Sequence, residues 1–167
     1  SGKKTLLLLC LLHCLLFGCA KAPGIHTESE ESQGDKLLEA GSYQEAADLY
    51  QQKIDGGEES EENYRRLGIA WMGLGDYNKA AAAFETALSE AGIVPGNTEY
   101  DINYYLGSCY DKLGDYEAAL KVYDAIVTLR PKDADAIELR GAVKMQMGDT
   151  DGMQKDFSIA IALEPSN

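Results

Sequence analysis

The stretch "LGDYNKAAAAFETAL" (Leu74–Leu88) is followed by a second version of itself, "LGDYEAALKVYDAIV" (Leu113–Val127). Weaker versions of the opening phrase stand at Ala40–Tyr43 ("AGSY") and Met147–Thr150 ("MGDT"). Their glycines, Gly41, Gly75, Gly114 and Gly148, are spaced 34, 39 and 34 residues apart. A second glycine series, Gly34, Gly68, Gly107 and Gly141, runs seven residues ahead of the first. A period of this size marks a stack of like supersecondary units. Within each period the apolar residues recur at helical spacing. In the second unit they are Tyr64, Leu67, Gly68 and Trp71, then Ala80, Phe84, Ala87 and Leu88. Each unit therefore reads as two antiparallel helices joined by the Gly-Asp-Tyr turn.

The small residues suggest close helix contact. A glycine facing an alanine lets two helix axes approach below the usual 8–10 Å, and glycine within a helix costs about 1 kcal/mol against alanine. The expected pairs are Gly34 with Ala46, Gly68 with Ala80, and Gly107 with Ala119. Thr27-x-x-Glu30 and Thr98-x-x-Asp101 read as capping boxes, and Ser60 and Asp133 as N-caps.

These residues resemble the tetratricopeptide repeat family. The second unit carries that family's aromatic, Leu-Gly, aromatic, Gly-x-Tyr and Ala pattern as Tyr64, Leu67-Gly68, Trp71, Gly75-Asp76-Tyr77, Ala80, Phe84 and Ala87. The third carries Leu106-Gly107, Tyr110, Gly114-Asp115-Tyr116, Ala119, Tyr123 and the closing Pro131. The fourth departs most: Arg140, Lys144, Thr150 and Met153 stand where Leu, an aromatic, Tyr and Ala are expected, so its first helix is expected to pack loosely. The resemblance implies an all-α, right-handed superhelical solenoid over residues 27–167, with repeats 27–60, 61–99, 100–133 and 134–167.

It also implies a concave groove lined by the first helix of each repeat, where a peptide or partner protein binds. Carried over position by position, the groove holds Glu31, Asp35 and Leu38, then Arg65, Ile69 and Met72. Tyr104, Ser108, Asp111 and Lys112 follow, and then Glu138, Ala142 and Met145. Arg65, Tyr104 and the Ile69–Met72 pair are the expected energetic centre, because Tyr and Arg dominate hot spots; Ile69 and Met72 could equally pack beneath neighbouring helices. The carboxylate clamp of the chaperone-binding members is not expected. Its places carry Glu31, Asp35, Arg66, Asp101 and Tyr105, and acids there would repel a carboxylate.

The N-terminus answers a different question. "KKTLLLLCLLHCLLFGC" (Lys3–Cys19) has a basic start and an apolar run from Leu6 to Phe17. Such a run spans about 18 Å as a helix, against a hydrocarbon core of about 30 Å, which fits a secretory signal peptide. "LFGC" resembles the bacterial lipobox. That implies lipid on Cys19, cleavage after Gly18, residues 1–18 as signal peptide, residues 19–26 as tether, and an extracytoplasmic address. An ordinary A-x-A-like signal is the alternative.

Loss of Lys3 and Lys4 with the signal peptide takes the formal net charge from −13 to −15. A body so acidic repels nucleic acid and anionic lipid, so membrane attachment is expected through the lipid anchor and no nucleic acid partner is expected. Catalytic chemistry is poorly supplied. Beyond Cys19 the chain has only His26, in the tether, and Cys109, in a repeat helix. Phosphate-binding and metal-ligand motifs are missing from the sequence, so neither an enzyme nor a cofactor is expected. A protein-binding module is the leading expectation, with a scaffold subunit of an envelope or pilus assembly as the alternative. Gly92 and Pro95 predict a longer loop between repeats two and three. The apolar set Phe157, Ile159, Ile161 and Leu163 in the last repeat predicts an outward face able to self-associate or to dock on another chain.

Overall fold

In the computed structural model the described residues are 28–92 and 95–164, with the side chains of residues 28–32 left out of account. They form eight helices: α1 (Glu28–Glu39), α2 (Tyr43–Asp55), α3 (Glu61–Gly73), α4 (Tyr77–Glu90), α5 (Asn97–Leu113), α6 (Tyr116–Leu129), α7 (Ala134–Gln146) and α8 (Thr150–Leu163). No strand occurs among the described residues. The signal-peptide, Cys19, tether and Thr27 expectations all lie outside them. The chain divides at Gln33/Gly34 into two compact units. Of the first, only the opening turns of α1 are described. The remainder of α1 and all the later helices belong to the second.

The repeated glycine and aspartate act in succession. Gly75 ends α3 with φ +76, a left-handed conformation that costs other residues a Cβ clash. Its N–H donates to Met72 O (2.9 Å), and the Asp76 N–H donates to Trp71 O (3.0 Å), closing the helix as a Schellman motif. Asp76 then opens α4 by accepting from the Lys79 N–H at 3.0 Å. Asp115 and Asp149 cap α6 and α8 in the same way. The turn tyrosine serves the next unit: a Cβ on Gly73 of α3 would lie 2.4 Å from the Tyr43 ring.

Successive helices pack in chain order from α2 to α8, and α3 also meets α5. The result is an all-α helical repeat solenoid. Its interior is a chain of apolar clusters. The first joins Ala46, Ala47 and Tyr50 to Leu67, Ala70 and Ala83; the second joins Phe84 and Ala87 to Ile102, Leu106 and Cys109; the third joins Tyr123 and Ile126 to Ala136 and Val143.

Four expectations need correction. The atoms that face the interior glycines belong to rings, not to alanines. A Cβ on Gly68 would sit 2.6 Å from Phe84 Cε1, and one on Gly107 2.7 Å from Tyr123 Cζ. Tyr50 holds the same place over Gly34. The missing Cβ makes room for an aromatic that lies one helical turn beyond the alanine.

The capping box at Thr98 is displaced. Gly96 precedes α5, and its N–H donates to Glu99 Oε2 at 2.7 Å. The insertion after repeat two mostly lengthens a helix. α5 has 17 residues where α3 and α7 have 13 each. The link before it, residues 91–96, is longer as expected, six residues against five for 56–60 and four for 130–133, but it gains less than the helix does. Pro95-Gly96 stops the loop, and the polar "NTE" beyond them can enter a helix.

The first helix of repeat four is not loosely packed. Ile137 and Val143 are buried, and Arg140 and Lys144 both reach Asp156 on α8, which is 1% exposed. Arg140 donates through Nε and Nη2 at 2.9 and 2.7 Å, and Lys144 Nζ lies 2.8 Å from Oδ2. Arg140 Nη1 also donates to Asp124 of α6 at 3.0 Å. Burial pushes the Asp156 carboxyl up, but the hydrogen bonds and charges of Arg140 and Lys144 outweigh this and hold it below the usual carboxylate range. At the far edge Ile161 is 71% exposed, Ile159 is also exposed, and Phe157 is half-buried.

Candidate partner-binding groove

Two adjoining hollows lie along the first helices. One is lined by Asp35, Leu38 and Glu39 of α1, Arg65, Arg66 and Ile69 of α3, and Tyr105 of α5. The other is lined by Asp101, Tyr104 and Tyr105 of α5 with Asp135, Glu138 and Leu139 of α7. Tyr105 belongs to both and joins them. Its ring stacks on Phe84 with centroids 5.4 Å apart, so the groove's centre is braced by the core beneath it.

The cations of the first hollow are committed. Arg66 forks onto Asp35, with Nε to Oδ1 at 2.8 Å and Nη2 to Oδ2 at 3.2 Å, and its Nη1 lies 2.9 Å from Glu62. Arg65 lies 3.6 Å from Glu62 and 3.9 Å from Asp101, and its buried Nε makes no hydrogen bond among the described residues. Tyr104 donates its hydroxyl to Asp133 Oδ1 at 2.6 Å, the same oxygen that caps α7 through the Ala136 N–H. Burial and the neighbouring carboxylates push the Tyr104 hydroxyl well above the usual range. Tyr104 thus offers the groove its ring, while its hydroxyl fixes the start of α7.

Of the residues expected from the sequence, Asp35, Leu38, Arg65 and Ile69 line the first hollow, and Tyr104 and Glu138 the second. Met72, Ser108, Asp111, Lys112 and Met145 line neither. Met72 packs on the second core cluster, as Ile69 also does from its other side. Ser108 and Asp111 are half-buried, Lys112 is exposed, and Met145 is 50% exposed. The Glu31 side chain lies outside the described residues. Sequence reasoning missed Leu139, and it placed Tyr105 on this face only as a position of the excluded carboxylate clamp, not as a binding residue. Both stand one position after expected groove residues, and the two-tyrosine step Tyr104-Tyr105 was the available signal.

Cys109 is fully buried, and burial pushes its thiol up to about 11, which leaves almost no thiolate at neutral pH. No group of His, Cys, Asp and Glu among the described residues could hold a metal ion.

The family comparison agrees with this arrangement of helix pairs. Residues 65–134 match the tetratricopeptide repeat family. The matched span runs from Arg65 in α3 into the start of α7, the part where the motif is fullest. Over 127 residues the chain is 27% identical to BBSome complex member BBS4 of Xenopus tropicalis; the match takes in 76% of this chain but only 23% of that protein's length. Among solved structures, MamA from Desulfovibrio magneticus RS-1 superposes with a TM-score of 0.74 at 26% identity, over 86% of this chain and 78% of that one. YrrB, described as a tetratricopeptide protein with an unusual peptide-binding site, superposes with a TM-score of 0.72 at 19% identity, over 83% and 69%. The tetratricopeptide fold therefore extends to both sides of the matched residues.

Proposed function

We propose that this chain is a tetratricopeptide protein-binding module that holds a segment of a partner protein in the groove centred on Tyr105. The observation that carries the reading is the continuity of the two hollows through that residue. Four successive first helices, α1, α3, α5 and α7, contribute to that face, with half-buried apolar side chains at its floor. A groove floored by ordered aromatic rings and rimmed by charge is the usual form of a protein hot spot. The peptide-binding site reported for YrrB supports the same use of the fold.

The address is part of the proposal. The lipobox-like "LFGC" would place lipid on Cys19 and hold the module against the extracytoplasmic side of a bacterial membrane. Replacement of Cys19 by Ala should abolish acyl labelling, and labelling that persists in that variant would remove the anchor from the account.

The groove is tested by placing a photo-crosslinking residue at position 105 and, separately, at the exposed Lys121 of α6. The reading expects adducts to a partner from position 105 and none from 121. Adducts from 121 alone would instead describe a scaffold that binds by its second helices.

A further inference from the structure

The two halves of the groove differ in charge, and the difference arises from the repeat. Periods of 39 and 34 residues place Glu62, Asp101 and Asp135 at one position of successive first helices, Arg65, Tyr104 and Glu138 at a second, and Arg66, Tyr105 and Leu139 at a third. At the α3 step both arginines are present, and they neutralise Asp35 and Glu62. At the α5 and α7 steps the same places hold tyrosines, a glutamate and a leucine. Asp101, Asp135 and Glu138 therefore surround the second hollow, and no cation among the described residues lines it. Arg65 touches only the Asp101 edge at 3.9 Å, and the Asp101 side chain stays 61% exposed.

We propose that this α5–α7 half of the groove takes a basic segment of a partner chain, an inference that rests on the groove reading. Three carboxylates with one arginine, at the Asp101 edge, leave an excess of negative charge. Lysines or arginines placed among them offset that excess and steer the encounter. The tyrosine rings add faces suited to a guanidinium, and Leu139, 38% exposed, adds an apolar contact. A free metal ion is the wrong occupant, since these carboxylates are not grouped as ligands. Several cations spaced along a peptide suit them better.

The test uses the full chain in neutral detergent and three labelled 12-residue peptides, with fluorescence anisotropy read at several salt concentrations. One peptide is built from Lys, Arg, Leu and Ser. In the second Gln replaces every cation, and in the third Glu does. The basic peptide should bind at least tenfold more tightly than the other two and weaken as salt rises. The double variant D135K/E138K should lose at least tenfold, while E117K/D151K, the same charge change on exposed positions of α6 and α8, should lose less than twofold. Equal loss in both double variants would show general attraction to an acidic protein and overturn the inference. So would failure of the basic peptide to bind at all. Equal binding of the Gln peptide, lost in Leu139→Ser, would overturn the basic preference and leave the groove reading standing. Adducts from position 121 alone would remove the groove reading itself.

Discussion

Repeats two and four are built on one plan and held by opposite chemistry. In repeat two, Leu67 and Trp71 of α3 and Ala83 of α4 pack in the first apolar cluster. The residues 73 positions on are Arg140, Lys144 and Asp156, and they meet as a buried ion cluster. All three positions differ between the two repeats, an apolar trio in one and a charge-satisfied trio in the other, on the same helix-pair plan. A repeat position thus demands that its partners match, not that they be apolar. Each charge in the cluster is tolerated only because the other charges are present.

The sharpest break of this comparison is Asp156→Ala. It takes the Asp156 carboxylate from half-buried Lys144 and leaves Arg140 with only the exposed Asp124. Loss of one partner from a buried cluster costs about 3–5 kcal/mol, with the surviving Asp124 contact keeping this change at the low end. Because solenoid repeats interact only with their neighbours, hydrogen exchange should show α7 and α8 opening first while α3 and α4 stay protected. Uniform loss of protection would contradict the local origin. The complete exchange R140L/K144W/D156A, which writes the trio of repeat two into repeat four, should instead fall within about 1 kcal/mol of the parent or above it in urea unfolding.

Acid should separate the two repeats as well. The folded Asp156 carboxyl titrates below the roughly 4 of an unfolded aspartate. Its contribution is therefore fully present above about pH 4 and is lost as pH falls through the lower folded value. Repeat four of the parent should loosen in that range, and the triple exchange should not.

Gly68→Ala should destabilise by about 1–2 kcal/mol, as crowding against fully buried Phe84 exceeds the gain in helix propensity. Gly141→Ala should cost less, because the ring its Cβ would meet at 2.9 Å, Phe157, is only half-buried and can give, and the buried Asp156 Cβ stands farther off at 3.2 Å. Equal melting temperatures for the two variants would contradict the packing account. Smallest of all, native Cys109 should resist thiol reagents at pH 8 and react only after denaturant is added.

The fold was largely legible because its signal recurs. The Gly-Asp pair ends one helix and caps the next at three turns, so its period alone shows the units. What escaped was set between repeats. The partner of Gly68 is Phe84, one turn past the expected alanine, and helical spacing does not say which of two residues on a face comes nearer. The ion cluster escaped because Arg140 and Lys144 were read against an apolar pattern, while Asp156, the residue that satisfies both, lies on the other helix. The groove was legible to within one position. Tyr104 and Glu138 were found, but Tyr105 and Leu139 depend on how far each helix turns against its neighbour, which packing decides.

The claim that the first-helix groove is the binding face can be tested without altering the protein. Hydroxyl-radical footprinting of the chain, alone and with the partner recovered by crosslinking, reads the exposure of individual tyrosines and leucines. The account predicts protection of Tyr104, Tyr105 and Leu139 on binding, with Leu129, Ile159 and Ile161 as reactive as before. Protection confined to Leu129, Ile159 and Ile161, with the groove tyrosines unchanged, would contradict it.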